Sequence, residues 1–320
     1  MGNVLIIGDT HFSPKQHGRH KDYMASSLRL MQHLQETAHN INNESGLDGI
    51  IILGDIFGVS ETILSSKHPT YTVALMAFFR ALNTIAPVYA VKGNHDMNKG
   101  GSTTWDAYHA GGLIRHPKHI DHGSVRYHIQ DYGHDTNPSY DIKEDAINIV
   151  CAHGEFATAA SDPAPHWMNP TIVDINPAYQ NIDAVISGHI HTPAPPHTST
   201  HVSGGKDITL LYPGSPARTH TPIPDVYYIL ITSQGDMSLH PLGLWPLDEE
   251  FNPTDTPDAA HQDADSRTLA LQEALQDAIG GHINTPDLLQ QLESIASSIY
   301  NITPQGYSLA RTYLTDAINN

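Results

Sequence analysis

The chain holds a single cysteine, Cys151, in 320 residues. No intramolecular disulfide can brace it, and a reducing compartment is the expectation. Basic residues are scarce: 16 Lys plus Arg stand against 34 Asp plus Glu, a formal charge of −18. Duplex affinity comes largely from Lys and Arg neutralising phosphates, so a broadly basic DNA-binding face is excluded. No apolar run reaches the length of a membrane-spanning helix, and Met1-Gly-Asn-Val-Leu-Ile-Ile7 opens into an apolar strand rather than a leader. A soluble, cytoplasmic protein is expected.

Histidine is abundant instead, with 23 residues, and some of it falls in order with Asp and Asn. Five islands stand out: Asp9-Thr-His11, Gly54-Asp55, Gly93-Asn94-His95-Asp96, His153 and Gly188-His189-Ile-His191. Each follows a short, β-branched apolar run: residues 4–7, 49–53, 87–91, 146–152 and 182–186. Near-continuous apolar runs ended by Gly or polar residues read as strands covered on both faces. Helical stretches at roughly 21–42, with Leu28, Met31, Leu34 and Ala38 near helical spacing, and roughly 70–83 separate the first three. The alternation predicts a layered α/β sheet with the islands gathered at the carboxyl ends of its strands.

Hard divalent ions that drive hydrolysis take carboxylate and carbonyl oxygens with neutral imidazoles. The two oxygens of one carboxylate, Asp55, can each serve an ion, and two ions roughly 3.5–4 Å apart clamp a phosphate and activate water. Imidazoles two residues apart, as in His189-x-His191, suit a tight loop at a strand end better than a helix. Cys151, two residues before His153, reads as a buried structural thiol.

This ordered set resembles the calcineurin-like metallophosphoesterase superfamily, whose pattern is D-x-H, G-D, G-N-H-D/E, H and G-H-x-H, over about residues 3–232. The resemblance implies one ion on Asp9, His11, Asp55 and His191. The other falls to Asp55, Asn94, His153 and His189. His95 matches the family's non-ligand histidine, which steadies the transition state or protonates the leaving group, with Asp96 as its partner. Manganese is the preferred ion by this resemblance, and Fe, Zn, Ni or Co serve in other members. The implied fold is two packed β-sheets flanked by helices, α/β/β/α, over residues 1–245.

Further stretches resemble SbcD-type DNA-repair nuclease subunits and their shorter phage relatives. These are Asp9-Thr-His11-Phe, the loop Gly18-Arg19-His20, Cys-Ala-His153-Gly-Glu and Leu211-Tyr-Pro-Gly-Ser-Pro216. Arg19, His20, Ser215 and Arg218 become candidate substrate contacts, with Gly214 allowing close backbone approach and Arg218 placed to meet a phosphate. A plain β-turn is the alternative for residues 211–216. Lys15 and Lys21 extend Arg19 and His20 into a small basic cluster. His17 shares that loop, and Trp167 lies in a Pro-rich loop with the look of a lid or substrate wall. Many such nucleases carry a second catalytic histidine directly after Gly-Asp-x-Phe, where Gly58 stands here.

Residues 246–265 turn to Asp, Pro, Thr and Gln, a linker composition, and 266–320 carry three helix signals with apolar stripes. Those helices must pack on the main domain, on a copy of themselves, or on a partner, for which the resemblance suggests a coiled-coil ATPase. The expected function is a two-metal phosphodiesterase acting on DNA ends or single strands. Hydrolysis of a small or cyclic nucleotide, and an idle scaffold working through the C-terminal helices, remain as alternatives.

Overall fold

The computed structural model describes residues 2–15, 20–58, 68–97, 102–133, 138–159, 170–202, 206–218 and 225–251. Arg19, His17, Trp167 and the three helix signals of 266–320 lie outside the described residues.

β1 (Asn3–Ile7), β2 (Leu47–Ile52) and β3 (Val88–Ala90) lie side by side and parallel, joined through α1 (Tyr23–Ser45) and α2 (Pro69–Ile85). α1 starts where the Asp22 carboxylate accepts the Ala25 N–H and stops at Gly46, at φ +79°. α2 carries Pro69 in its first turn, where a missing N–H costs nothing. The chain then passes through α3 (Thr104–Ala110), capped reciprocally by Thr103 and Asp106, into a second sheet. That sheet contains β4 (His119–His122), β5 (Val125–Gln130), β6 (Ile147–His153), β9 (Ala184–Gly188), β10 (Ala194–Thr200) and β11 (Asp207–Tyr212). β7 (Phe156–Ala157) and β8 (Thr171–Ile172) pair separately. β12 (Tyr227–Ile231) and β13 (Met237–Pro241) return to the first sheet, and the short α4 (Leu247–Glu250) follows.

The strand order is β13-β12-β1-β2-β3 in one sheet and β10-β11-β9-β6-β5-β4 in the other. Alternation of side chains assigns each strand to two cores. Val4 and Ile6, Ile51 and Leu53, Ile149 and Cys151, and Ala184 and Ile186 meet between the sheets. Leu5, Ile7, Ile50 and Ile52 face α1, α2 and α3. On the outer side of the second sheet, Val150, Ala152 and Val185 pack with Val173, Tyr179 and Ile182. Two sheets flanked by helices are therefore present, with the helical cover uneven among the described residues. Three α-helices back the first sheet, whereas a 3-10 turn at Pro177–Tyr179 and short loop segments back the second. Cys151 is a free, fully buried thiol of the inter-sheet core, and burial pushes it well above the usual thiol range.

Two expectations need correction. Leu28 lies off the buried stripe of α1, which runs through Tyr23, Ser27, Leu30, Met31, Leu34, Ala38 and Ile41. The described start of the expected linker, residues 246–251, is packed. Phe251 lies against the His20 ring at 4.3 Å, and Glu250 pairs with Arg218 at 3.2 Å. Arg29 also sits over the Trp245 ring, 4.3 Å from its centroid. Arg218 and Glu250 are both almost fully enclosed, with side chains 1% and 2% exposed. Removing one partner of such a pair strands a buried charge. Glu250→Ala is expected to cost about 3 kcal/mol in urea unfolding. Arg218→Met combined with Glu250→Leu is expected to recover most of that loss.

Candidate metal centre

The five islands meet where the carboxyl edges of the two sheets come together. Asp9 follows β1, Asp55 follows β2, and Asn94 to Asp96 form a 3-10 turn after β3. His153 ends β6 opposite Gly188, and His189 directly follows that partner at the end of β9. The chain bends sharply to present them. His11, Asp55 and His189 hold positive φ angles of 41°, 44° and 75°. Such backbone costs on the order of 1–3 kcal/mol per residue and persists only where the surroundings fix it. Close approach demands glycine as well: a Cβ on Gly188 would fall 2.2 Å from Asp9 Oδ1. A Cβ on Gly8 would fall 1.9 Å from the Gly214 carbonyl, so Gly214 does bring a backbone close.

Three overlapping groups result: Asp9, His11 and His191; His11, Asp55 and His95; and Asp55, His153 and His189. Within each, the donor atoms lie within 4.8 Å of one another. His11 Nε2 and His191 Nε2 face each other at 3.0 Å, and His191 Nε2 lies 3.5 Å from Asp9 Oδ2. The Asn94 amide oxygen lies 3.0 Å from His153 Nε2 and 3.1 Å from His189 Nδ1. His153 Nδ1 donates to the Leu53 carbonyl at 2.7 Å, which turns Nε2 toward Asn94 and toward Asp55 Oδ2 at 3.3 Å. Backbone N–H groups orient the carboxylates: His189 donates to Asp9 Oδ2 and His95 to Asp55 Oδ1, each at 2.8 Å.

These donors fit divalent cations. Asp9 Oδ1 is buried and has no hydrogen-bond partner among the described residues. Lone pairs and carboxylate oxygens converge, and among the described residues backbone N–H groups and bound protons offset them. Burial, reinforced by the Asp55 charge and opposed by His153, lifts the Asp9 carboxyl to about 7. His153, despite burial, is lifted to about 9 by the Asp9 and Asp55 carboxylates. Burial pushes Asp55 up too, but the hydrogen bond and charge of His153 win and hold it low. Burial depresses His11 and His189, which suits neutral ligand imidazoles.

Asp96 does not steady His95. Its oxygens accept the N–H groups of Ile56, Phe57 and Gly93 at 3.3, 3.2 and 3.0 Å, tying the second and third island loops together. Burial and the Asp55 charge lift its carboxyl to about 8. Arg218 and His20 also turn away from the centre. Arg218, at φ +52°, sends its guanidinium to Glu250 and the Trp245 carbonyl. His20 is buried between the Arg218 carbonyl at 3.2 Å and Glu250 at 3.3 Å, and burial lowers it to about 4. Lys21 Nζ donates to the Asp248 carbonyl, and Lys15 and Lys21 are both exposed. Ser215 is buried and braces the site: its hydroxyl donates to the Asp9 carbonyl and its N–H to the His191 carbonyl.

Two neighbours of the centre escaped the sequence reading. Glu155 Oε1 lies 3.5 Å from His189 Nε2, on the ring edge away from Asn94, where it orients the imidazole. Its spacing of two from His153 was the available signal. Tyr132 lies beside His153 and His189, just past the carboxyl end of β5.

A two-sheet α/β fold here collects Asp, Asn and His at its strand ends, a donor set suited to divalent cations. The calcineurin-like phosphoesterase profile matches residues 2–193, more than half of the chain, and the chain belongs to that family. Among solved structures, it is similar to a 5′-nucleotidase precursor from Thermus thermophilus, 12% identical with a TM-score of 0.43, covering 85% of this chain and 59% of that one. It is also similar to the NAD nucleotidase of Haemophilus influenzae, 12% identical with a TM-score of 0.40, covering 98% of this chain and 60% of that one. The chain thus spans less than two thirds of either structure's length. No curated protein matches it. No helix among the described residues is long and apolar enough to cross a membrane.

The protons on the centre set a pH dependence. Below about 7 both Asp9 and His153 hold protons that a cation must displace, and between about 7 and 9 His153 alone does. Mn(II) affinity of the metal-free protein is expected to rise with pH, by about tenfold per unit between 7 and 9. Calorimetry in buffers of different ionisation enthalpy should detect the proton release. Affinity that stays flat across this range would refute the assignment.

Proposed function

We propose that this chain is a phosphodiesterase working with two divalent ions, manganese by preference. Asp9, His11, Asp55 and His191 would hold one, and Asp55, Asn94, His153 and His189 the other. The carrying observation is the orphaned, buried Asp9 Oδ1 within groups of donors that share His11 and Asp55. The ions, when bound, supply a nucleophile from water at neutral pH and offset charge on the phosphoryl oxygens. Asp55 is aimed by the His95 N–H on one oxygen, which leaves the other toward His153. The His95 ring is half-buried and edge-on to His11 at 5.1 Å, with a nitrogen in the same group as His11 and Asp55. From there His95 gives a proton to the leaving oxygen, a contribution of about 10²–10⁴ in rate.

The substrate that suits this centre carries one phosphodiester and little flanking backbone: a nucleotide diester or a single-stranded DNA end. Lys21, Lys92 and Arg218 make contacts to the Asp248 carbonyl, Asp106 and the Trp245 carbonyl, and the whole chain carries a charge of −18. A nuclease of the SbcD type is the second reading. It is favoured by the turn at residues 213–216, which lies against Asp9 and His191 as those motifs imply. In that reading residues 266–320 bind a coiled-coil ATPase or a second copy of the chain.

Manganese-dependent cleavage of bis(p-nitrophenyl) phosphate should fall at least about 100-fold in Asp55→Ala and in His95→Ala. Full activity in both variants would mean a wrong site, and an inactive wild type would leave only the scaffold. Single-stranded DNA, duplex ends and nucleotides assayed side by side rank the substrates. Deleting residues 262–320 is expected to abolish self-association or ATPase capture. Unchanged sedimentation together with unchanged capture would remove the partner.

A further inference from the structure

Tyr132 is a large side chain left 37% exposed, and it stands at the rim of the donor cluster. Its ring is tilted 37° to that of His189 with centroids 5.3 Å apart, and it lies 5.9 Å from the His153 ring. Its backbone is tied down. The Tyr132 N–H donates to the Lys92 carbonyl at 2.9 Å, and Asp131 Oδ1 accepts the Lys92 N–H at 2.8 Å. Asp131 Oδ2 meets His116 Nε2 at 3.1 Å, and His116 Nδ1 lies 2.8 Å from the Ala90 carbonyl oxygen. Lys92 directly precedes Gly93-Asn94-His95, so the ring and an island loop share one braced piece of backbone. No described residue hydrogen-bonds the phenol oxygen, so no buried polar contact explains the ring's position.

We propose that Tyr132 is a stacking platform for the base of a nucleotide whose phosphate lies at His153 and His189. An aromatic face fixed beforehand binds a planar base with little further ordering, and every base offers a π-face. It also supplies affinity of a kind that needs no cationic side chain, in a site where Lys92 and Arg218 pair with Asp106 and Glu250. The chemical class selected is a phosphoester with a planar aromatic substituent next to the phosphate, in preference to an alkyl or bare sugar phosphate. This inference rests on the phosphodiesterase reading above.

Calorimetric binding of adenosine 5′-monophosphate and ribose 5-phosphate to the manganese-loaded full chain tests it, since the two differ only in the base. Wild type is expected to bind the nucleotide more tightly. Tyr132→Ala should weaken nucleotide binding about tenfold and leave ribose 5-phosphate unchanged, while Tyr132→Phe should match wild type. Equal weakening of both ligands would assign Tyr132 to holding His189 in place and overturn the platform. So would wild-type affinity for the nucleotide in Tyr132→Ala, or a wild type that cleaves bis(p-nitrophenyl) phosphate yet does not favour the nucleotide. A wild type that cleaves no diester would instead bring down the phosphodiesterase reading itself.

Discussion

Where the two sheet edges meet, the chain packs more electron density than its own protons can balance. Asp9, Asp55, the Asn94 amide oxygen and the facing nitrogens of His11 and His191 converge in a largely buried volume. In a low-dielectric interior, an ionised carboxylate is tolerated only with a compensating charge. The upward shifts of Asp9 and His153 express that need, since each takes on a proton where no cation is present. Much of the local architecture follows from bringing these groups so close. Glycine at 188 and at 8, the positive φ of His11, Asp55 and His189, and the N–H groups aimed at Asp9 and Asp55 all serve that convergence. Each is unfavourable or neutral alone, and together they make sense around positive charge.

How the support is arranged bears on function. Donor loops follow β1, β2 and β3 from one sheet and β6 and β9 from the other, so neither sheet completes the centre alone. Asp96 joins the loops after β2 and β3 within the first sheet, and other ties cross the junction: Leu53 accepts from His153, and Ser215 joins the turn after β11 to Asp9. Rigid strands with short cross-braced loops hold donors more precisely than free loops would. Asp96 is a residue of this kind. It acts on the backbone under the site, and its three N–H contacts leave it no share in a proton relay through His95.

Much of this was legible because parallel strands covered on both faces are written as apolar runs, and each run ends where a donor begins. The runs at 4–7, 49–53 and 182–186 correspond to β1, β2 and β9, and Cys151, read as a buried structural thiol, is buried in the inter-sheet core. Other features depend on contacts that no local pattern carries. β12 crosses back to pair with β1, and nothing in its alternating apolar residues distinguishes one sheet from the other. Arg218 stands close to the site in sequence and in space, yet the positive φ at its Cα sends its side chain to Glu250, 32 residues on. Leu28 sits at helical spacing but lines an open groove between α1 and α2 and stays exposed. Tyr132 obeys the same strand-end rule as the islands, and it was missed because an aromatic residue is not a metal donor.

The inward turn of Arg218 changes what the centre can recognise. A guanidinium facing the site would have offered bidentate, sequence-independent grip on successive phosphates, the usual basis for holding a long polyanion. With that group buried against Glu250 and His20 enclosed beside it, what the proposed function leaves to grip a substrate is the donor cluster and the aromatic ring beside it. A charge of −18 then works against a long nucleic-acid strand at distances where salt screens incompletely, while a short ester pays little of that repulsion. In the proposed reading Gly58 points the same way, since it stands where many SbcD-type nucleases carry a second catalytic histidine. Recognition through one phosphate and one planar group, rather than through a run of backbone charges, is the arrangement these constraints favour.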